Sequence, residues 1–338
     1  MADLSVRPSG AGAEPDAPAR PGADPALADP AHQPTRTPDF VLGALALAAW
    51  LPPGFPQFLS LGLVALAGFI ALASLRRPER PLVGLRWLPP ALVLLLGWTA
   101  FVSLISADDS LYGWQKRELR LALMAVYLVV VLTGRVHYVS VVRGMAAGLA
   151  LNAVLFFAGV APAPYGEFLS GFLLDKNQAG LAYSVVGLLL AGLVSSRRRM
   201  VLVLAVTSAL VWTTGSRTSL AALTCGIAWF LLRPRLSRFG RLVLALVLAA
   251  FVTILENDYA RIGVFADRGG TDWFRARIDA ASKLKLESAP WQGSGLGEAW
   301  VHLQSGDFLF HHAYWGALVE GGWILLGAYL VVTVVVAI

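Results

Sequence analysis

Apolar residues in this chain come in long, nearly uninterrupted runs, not in the alternating or one-faced patterns of a soluble domain. The runs occupy approximately residues 39–54, 57–75, 87–106, 119–133, 143–160, 178–194, 200–214, 218–232, 241–255 and 316–338. A helix crossing a bilayer's hydrocarbon region needs about 20 predominantly apolar residues. Backbone amides in lipid have no water to bond to, so such runs must close their hydrogen bonds within a helix or a closed barrel. The pattern therefore predicts an all-α polytopic membrane protein of about ten transmembrane helices. Pro52, Pro53 and Pro56 break the first run from the second and predict a tight hairpin there.

The polar stretches divide the chain further. Residues 1–38 are rich in Ala, Pro, Gly and Asp without hydrophobic periodicity, a composition unable to bury enough surface to fold. They read as a disordered cytoplasmic tail and lack the order of a cleavable signal peptide. Residues 39–255 form the membrane domain, 256–315 a long extracytoplasmic loop, and 316–338 the last span. Besides 256–315, only 161–177 exceeds a minimal outer connection, and loops of such length usually carry function. Within the longer one, Asp272-Trp273-Phe274-Arg275-Ala276-Arg277 has the composition of an interfacial helix.

Composition agrees with this pattern. The chain is 57% hydrophobic and 14% charged, whereas soluble domains are about a quarter charged. Its net charge of +6 would suggest nucleic acid in a soluble protein. Here Lys and Arg cluster between apolar runs, where they set topology, so no nucleic-acid partner is expected. With a cytoplasmic N-terminus, the inner segments hold Arg7, Arg20 and Arg36; Arg76, Arg77, Arg80 and Arg86; Arg135 and Arg143; Arg197, Arg198 and Arg199; and Arg233, Arg235, Arg238 and Arg241. The short outer segments hold only Lys116, Arg117, Arg120, Lys176 and Arg217, which orients the chain by the positive-inside rule. The single Cys225 rules out an intrachain disulfide.

Chemistry-bearing residues concentrate on the outer side. Met200 to Leu232 is 33 residues, too long for one span and short for two, so the chain must turn inside it, at Thr213-Thr214-Gly215-Ser216-Arg217-Thr218. Each arm then spans about 22 Å against about 30 Å of hydrocarbon, which recesses Arg217 below the outer surface. A charge at that depth faces a bundle interior or wet cavity and marks a site; the alternative is an arginine snorkelling to the headgroups. Asp175-Lys176-Asn177-Gln178 opens the next-to-preceding span, where Lys176 and a helix N-terminus could hold an anion or simply form a polar cap.

The long loop supplies Arg275 and Arg277, then Pro290-Trp291-Gln292-Gly293-Ser294-Gly295-Leu296-Gly297, then Phe310-His311-His312-Ala313-Tyr314-Trp315. The glycines permit a turn or close approach to a ligand, though alone they are weak evidence of phosphate binding. Histidine is the usual general base at neutral pH, and an exposed or structural role is its alternative here. His302, Asp307, His311 and His312 match no metal-ligand spacing; the outer pair Asp108-Asp109 is another possible metal or acid site, or the end of the third span. No metal and no cofactor are expected.

Taken in order, Lys176-Asn177, Gly215-Ser216-Arg217, an arginine ahead of Pro290…Gly293-Ser294-Gly295-Leu296-Gly297, and His311-His312-Ala313-Tyr314 resemble the O-antigen ligase/polymerase family from about residue 90 onward. Two features depart from it. The family's Asn after His is His312 here, and members commonly continue beyond the point where this chain stops at Ile338, as for a truncated chain or a shorter member.

The resemblance implies a glycosyltransferase C-like membrane fold and transfer of a glycan from an undecaprenyl-diphosphate-linked donor to a glycan or lipid acceptor, at the outer face of the cytoplasmic membrane. It implies that Arg217 and Arg275 bind the donor diphosphate, with Arg277 and Lys176 in support, and that His311 is the general base. Asn177, His312 and Tyr314 complete the implied substrate-binding set. Ligase and polymerase share this donor chemistry and differ in acceptor. A transporter or flippase of a lipid-linked or anionic solute is the competing reading, since intramembrane arginine and broken helices also mark transport pathways.

Overall fold

The computed structural model describes residues 33–49, 60–79, 85–106, 113–258, 269–304 and 306–337. Residues 1–32, the Pro52, Pro53 and Pro56 hairpin, Asp108-Asp109 and Ile338 lie outside them. Among the described residues there are eleven α-helices: α1 (Thr37–Leu45), α2 (Leu61–Ser74), α3 (Leu88–Ser106), α4 (Trp114–Leu132), α5 (Tyr138–Phe157), α6 (Lys176–Leu193), α7 (Arg197–Thr213), α8 (Arg217–Leu232), α9 (Arg238–Asp258), α10 (Gly269–Ser288) and α11 (Ala313–Ala337). One antiparallel hairpin, β1 (Trp300–Leu303) and β2 (Gly306–Leu309), sits between α10 and α11, with His302 opposite Asp307.

The apolar runs and the helices coincide closely, but length separates them. Among the described residues, three helices are long and apolar enough to cross a membrane: Leu88–Ser106, Tyr138–Phe157 and Ala313–Val332. The ten expected spans reduce to these three on that criterion, for visible reasons. α1 has nine residues and α2 fourteen. α4 carries Gln-Lys-Arg-Glu directly after its first residue, Trp114, and α7 opens on three arginines. α8 has sixteen residues, as the short arm of a turn must. Large apolar side chains face outward along the bundle, among them Leu94, Leu104, Val154 and Leu202, an exposed apolar surface consistent with membrane association.

Small residues set the closest packing. α1 lies against α5, where a Cβ on Gly144 would overlap the Phe40 carbonyl oxygen and one on Gly148 the Ala44 carbonyl oxygen. Such backbone approach is the way helices associate when lipid removes the hydrophobic drive between them. Fully buried Asp39 on α1 accepts from Arg76 Nη1 at 2.9 Å, and the same nitrogen donates to the Arg135 carbonyl. The ion pair ties α1 to the α2 end and to the turn before α5.

The 161–175 segment is held by a buried asparagine. Asn152 on α5 accepts from Phe172 N at 2.7 Å and donates to the Tyr183 hydroxyl at 3.1 Å, and that hydroxyl donates to the Leu149 carbonyl at 2.9 Å. Leu169 N bonds the Thr213 carbonyl at the end of α7. These bonds pin the connection across the α7–α8 turn, where the polar residues of interest lie.

α11 is broken. Gly322 has φ +66° and ψ −160°, conformations open to glycine and strained for other residues. The break frees helix carbonyls and amides, and the glycine-rich segment takes them up: Ser294 N bonds the Val319 carbonyl, Gly295 N the Glu320 carbonyl, and Trp323 N donates to the Trp291 carbonyl. Trp98 Nε1 on α3 donates to the Gly321 carbonyl at 2.8 Å. An unpaired backbone group buried here would cost several kcal/mol, on the order of a lost buried hydrogen bond with full desolvation.

Candidate functional site

The chemistry-bearing residues assemble into two clusters. The first forms where α6 and α8 begin side by side. Thr214, Gly215 and Ser216 make the expected turn, with Gly215 at φ +62°. Ser216 caps α8, its hydroxyl accepting from Ser219 N, and Ser219 Oγ donates to the Asn177 carbonyl at 3.3 Å. Gly180 allows this approach, since a Cβ there would lie 2.7 Å from Ser219 Cβ. Lys176 and Arg217 are thus the first residues of two adjacent helices, and the Nε of half-buried Arg217 is shielded from solvent.

Phe168 links the two starts. Its ring presses on Gly215, where no side chain fits, and the Lys176 ammonium lies 4.5 Å from its centroid. The same ammonium is 5.4 Å from the Tyr165 ring. Aromatic faces hold a cation by their quadrupole. The Tyr165 hydroxyl donates to Asp175 at 3.0 Å, a bond that raises its pKa above the ordinary phenol value.

The amides of α6 are partly spoken for. Asp175 accepts from Asn177 N at 2.9 Å and Gln178 N at 2.8 Å, the ordinary carboxylate cap of a helix. An anion here would therefore meet side chains of Lys176 and Arg217 before it met those amides. Asn177 itself is exposed and contributes its carbonyl to the helix contact.

The second cluster lies on α10 and the start of α11. Arg275 and Asp279 are one helical turn apart on α10 and both act on His311, Asp279 in favour of its charge and Arg275 against it. His312 Nε2 is 3.9 Å from Asp279 Oδ1, and its ring packs 4.3 Å from Trp315. Burial is the main influence on His311 and, with Arg275 and His312, lowers its pKa below the ordinary 6.5. His311 is therefore held neutral at pH 7, the form that can accept a proton.

Arg277 turns to another side of α10 and stacks on Trp273 at 5.0 Å. Tyr314 stands exposed in the first turn of α11. His302 pairs across the hairpin with Asp307 at 2.7 Å, apart from the His312–Asp279 contact. Among the described residues, no three His, Cys, Asp or Glu side chains gather as a metal site would require.

The contacts between elements keep the clusters distinct. α6 packs on α5, α7 and α8, whereas α10 packs on β1 and α11, and among the described residues no substantial α6–α10 or α8–α10 interface forms. The glycines of 293–297, read from sequence as a turn or ligand cradle, close on the α11 backbone; a Cβ on Gly293 would lie 2.6 Å from Gly322 N.

Two groups escaped sequence reading. Asp279 has a buried Oδ1 with no hydrogen bond, and its i+4 spacing from Arg275 was the available signal. Glu320 pairs with Arg117 of α4 and accepts from Gly297 N at 3.0 Å. Its partner lies some two hundred positions away, so nothing local announces the pair.

No family model, curated protein or solved structure matches the chain.

Proposed function

We propose that this protein transfers a glycan from an undecaprenyl-diphosphate-linked donor to an acceptor hydroxyl at the outer face of the cytoplasmic membrane. The observation that carries the reading is the packing of two helix starts, each opening on a basic residue, Lys176 and Arg217, around Phe168. The leaving group of such a donor is a diphosphate, for which a guanidinium supplies bidentate donors and a neighbouring ammonium a second charge.

In this reading His311 removes the proton of the acceptor hydroxyl as its oxygen attacks the anomeric carbon. The bond from that carbon to the diphosphate oxygen breaks, and the diphosphate leaves with the electron pair. Arg217 and Lys176 stabilise the charge that grows on it, and Arg275 stands beside the base. Donor binding then has to bring the α10–α11 cluster to the α6–α8 cluster, since the two are built on separate elements. The ten-span topology belongs to this proposal as well.

The test is reconstitution of the full chain with a lipid-linked oligosaccharide and a hydroxyl acceptor. Arg217→Ala and His311→Ala are each expected to lower transfer by at least about a hundredfold. Unimpaired transfer by both variants would overturn the site, and no transfer with any lipid-linked donor would overturn the activity.

One observation favours transport of a lipid-linked or anionic solute instead: α11 is discontinuous at Gly322, with a charged pair, Glu320 and Arg117, beside the break. Broken helices line the substrate paths of transporters. Movement of a fluorescent anionic lipid across vesicles without covalent change, lost in Glu320→Gln, would select that reading.

A further inference from the structure

A cavity of about 230 Å³ opens between α3, α4 and α11. Leu95 and Leu96, Met124 and Leu128, and Leu325 and Tyr329 form most of its wall. Two of its three walls are helices long and apolar enough to cross a membrane. Its α4 side is open outward, with Met124 63% and Leu128 42% exposed. Thr99 reaches the wall too, but its hydroxyl is turned to the Leu95 carbonyl and to Glu118 Oε2.

The helix that forms the open side changes character along one stripe. Lys116, Arg120, Met124 and Leu128 follow at intervals of four, which stacks them on one face about 6 Å apart. Lys116 and Arg120 are exposed. Between them, Arg117 is engaged with Glu320, and Glu118 is bonded to Thr99. The stripe thus presents two exposed cations, with the nearby Glu118 turned to Thr99, next to an apolar cavity, and this combination matches a lipid with a negatively charged headgroup.

We infer that this site binds an anionic phospholipid of the surrounding membrane, with an acyl chain in the α3–α4–α11 cavity and its phosphate at Lys116 and Arg120. The site draws on neither α6 nor α8 and shares α11 with the transferase reading only beyond the break at Gly322, so its test does not depend on that reading. Leu325 and Tyr329 lie just past the break at Gly322, so an acyl chain seated there supports the part of α11 that the glycine-rich segment does not.

Native mass spectrometry of the full chain in detergent tests this, titrating phosphatidylglycerol and phosphatidylcholine of identical acyl chains. One phosphatidylglycerol is expected to be retained at least about tenfold more tightly than phosphatidylcholine. Each juxtamembrane cation contributes on the order of a fivefold factor, so Lys116→Gln with Arg120→Gln should weaken phosphatidylglycerol by roughly tenfold or more and leave phosphatidylcholine unchanged. Ala125→Trp, which fills the cavity from its α4 wall, should weaken both lipids. The charge variants change exposed positions and remain informative if the tryptophan variant fails to fold. Equal retention of the two lipids, or phosphatidylglycerol binding untouched by the charge variants, overturns the proposal. So does undecaprenyl phosphate displacing phosphatidylglycerol at equal concentration.

Discussion

Gly293 and Gly322 are packed backbone to backbone. A Cβ on Gly293 would stand 2.6 Å from Gly322 N, and one on Gly322 would overlap the Trp291 carbonyl oxygen. Both have positive φ, +92° and +66°, so each is confined to glycine twice, by conformation and by space.

Gly322→Ala is therefore expected to destabilise the protein by about 1–3 kcal/mol, the usual cost of forcing extra volume into a packed site. Thermal unfolding in detergent measures it. Gly327→Ala in the same helix meets nothing within 4 Å and should change stability by less than about 0.5 kcal/mol. Equal effects would contradict the docking of the glycine-rich segment on the break.

Glu320 and Arg117 should behave as a coupled pair. Glu320→Ala leaves a partly buried guanidinium and the Gly297 amide without the carboxylate, a loss on the order of 3 kcal/mol. Arg117→Met combined with Glu320→Leu removes both charges and should be less destabilising than Glu320→Ala alone. A double-mutant cycle by denaturant unfolding measures the coupling, and additive effects would show that the pair contributes nothing.

Asn152 closes three hydrogen bonds in a nearly dry site. Asn152→Leu strands the Phe172 amide and is expected to cost about 1–3 kcal/mol. The sharper readout is hydrogen exchange, which should speed up at Phe172 and through residues 161–175 before the rest of the bundle opens. Unchanged exchange there would mean that the asparagine does not hold the segment.

The pH dependence of His311 has a definite sign. Burial lowers its pKa from 6.5 and Asp279 partly opposes this, so the imidazole gains its proton only below the ordinary range. Activity that needs a neutral base is thus kept at pH 7 and lost as pH falls through the lowered pKa. Asp279→Asn removes the opposing carboxylate and should move that loss to still lower pH. NMR titration of labelled histidine reads the same shift without an activity assay, and a shift upward would contradict the assignment.

Much of the architecture was legible because helix formation in apolar runs depends on neighbours in sequence. The expected 178–194 became Lys176–Leu193, 218–232 became Arg217–Leu232, and 87–106 became Leu88–Ser106. Where the helix extends beyond the run, polar residues provide the added turn. α4 starts at Trp114 instead of 119, because Gln115, Lys116 and Glu118 are good helix formers that hydropathy passes over. The hairpin at 300–309 was missed: its strands are four residues each and only partly buried, too short for alternation to register.

The candidate site was legible as a set of residue types and not as an arrangement. Lys176 and Arg217 were selected separately, and the structure puts them at the starts of two adjacent helices. Arg275 and Asp279 both act electrostatically on His311, and Asp279 lies 3.9 Å from His312. Arg277 does not join them, because two residues along a helix turn about 200° around its axis.

By itself the sequence determined most of the helices that form in apolar runs, the turn at Gly215 and the polar character of the longer connections. Each follows from local chemistry, the need to close backbone hydrogen bonds within apolar runs and the conformations that glycine permits. Only the tertiary structure decided what the glycines of 293–297 approach, which carboxylate acts on His311, and that Glu320 answers Arg117. Those outcomes depend on which distant segments meet, and a run of hydrophobic residues carries almost no information about its partner, because apolar packing is set by shape and has no direction of its own.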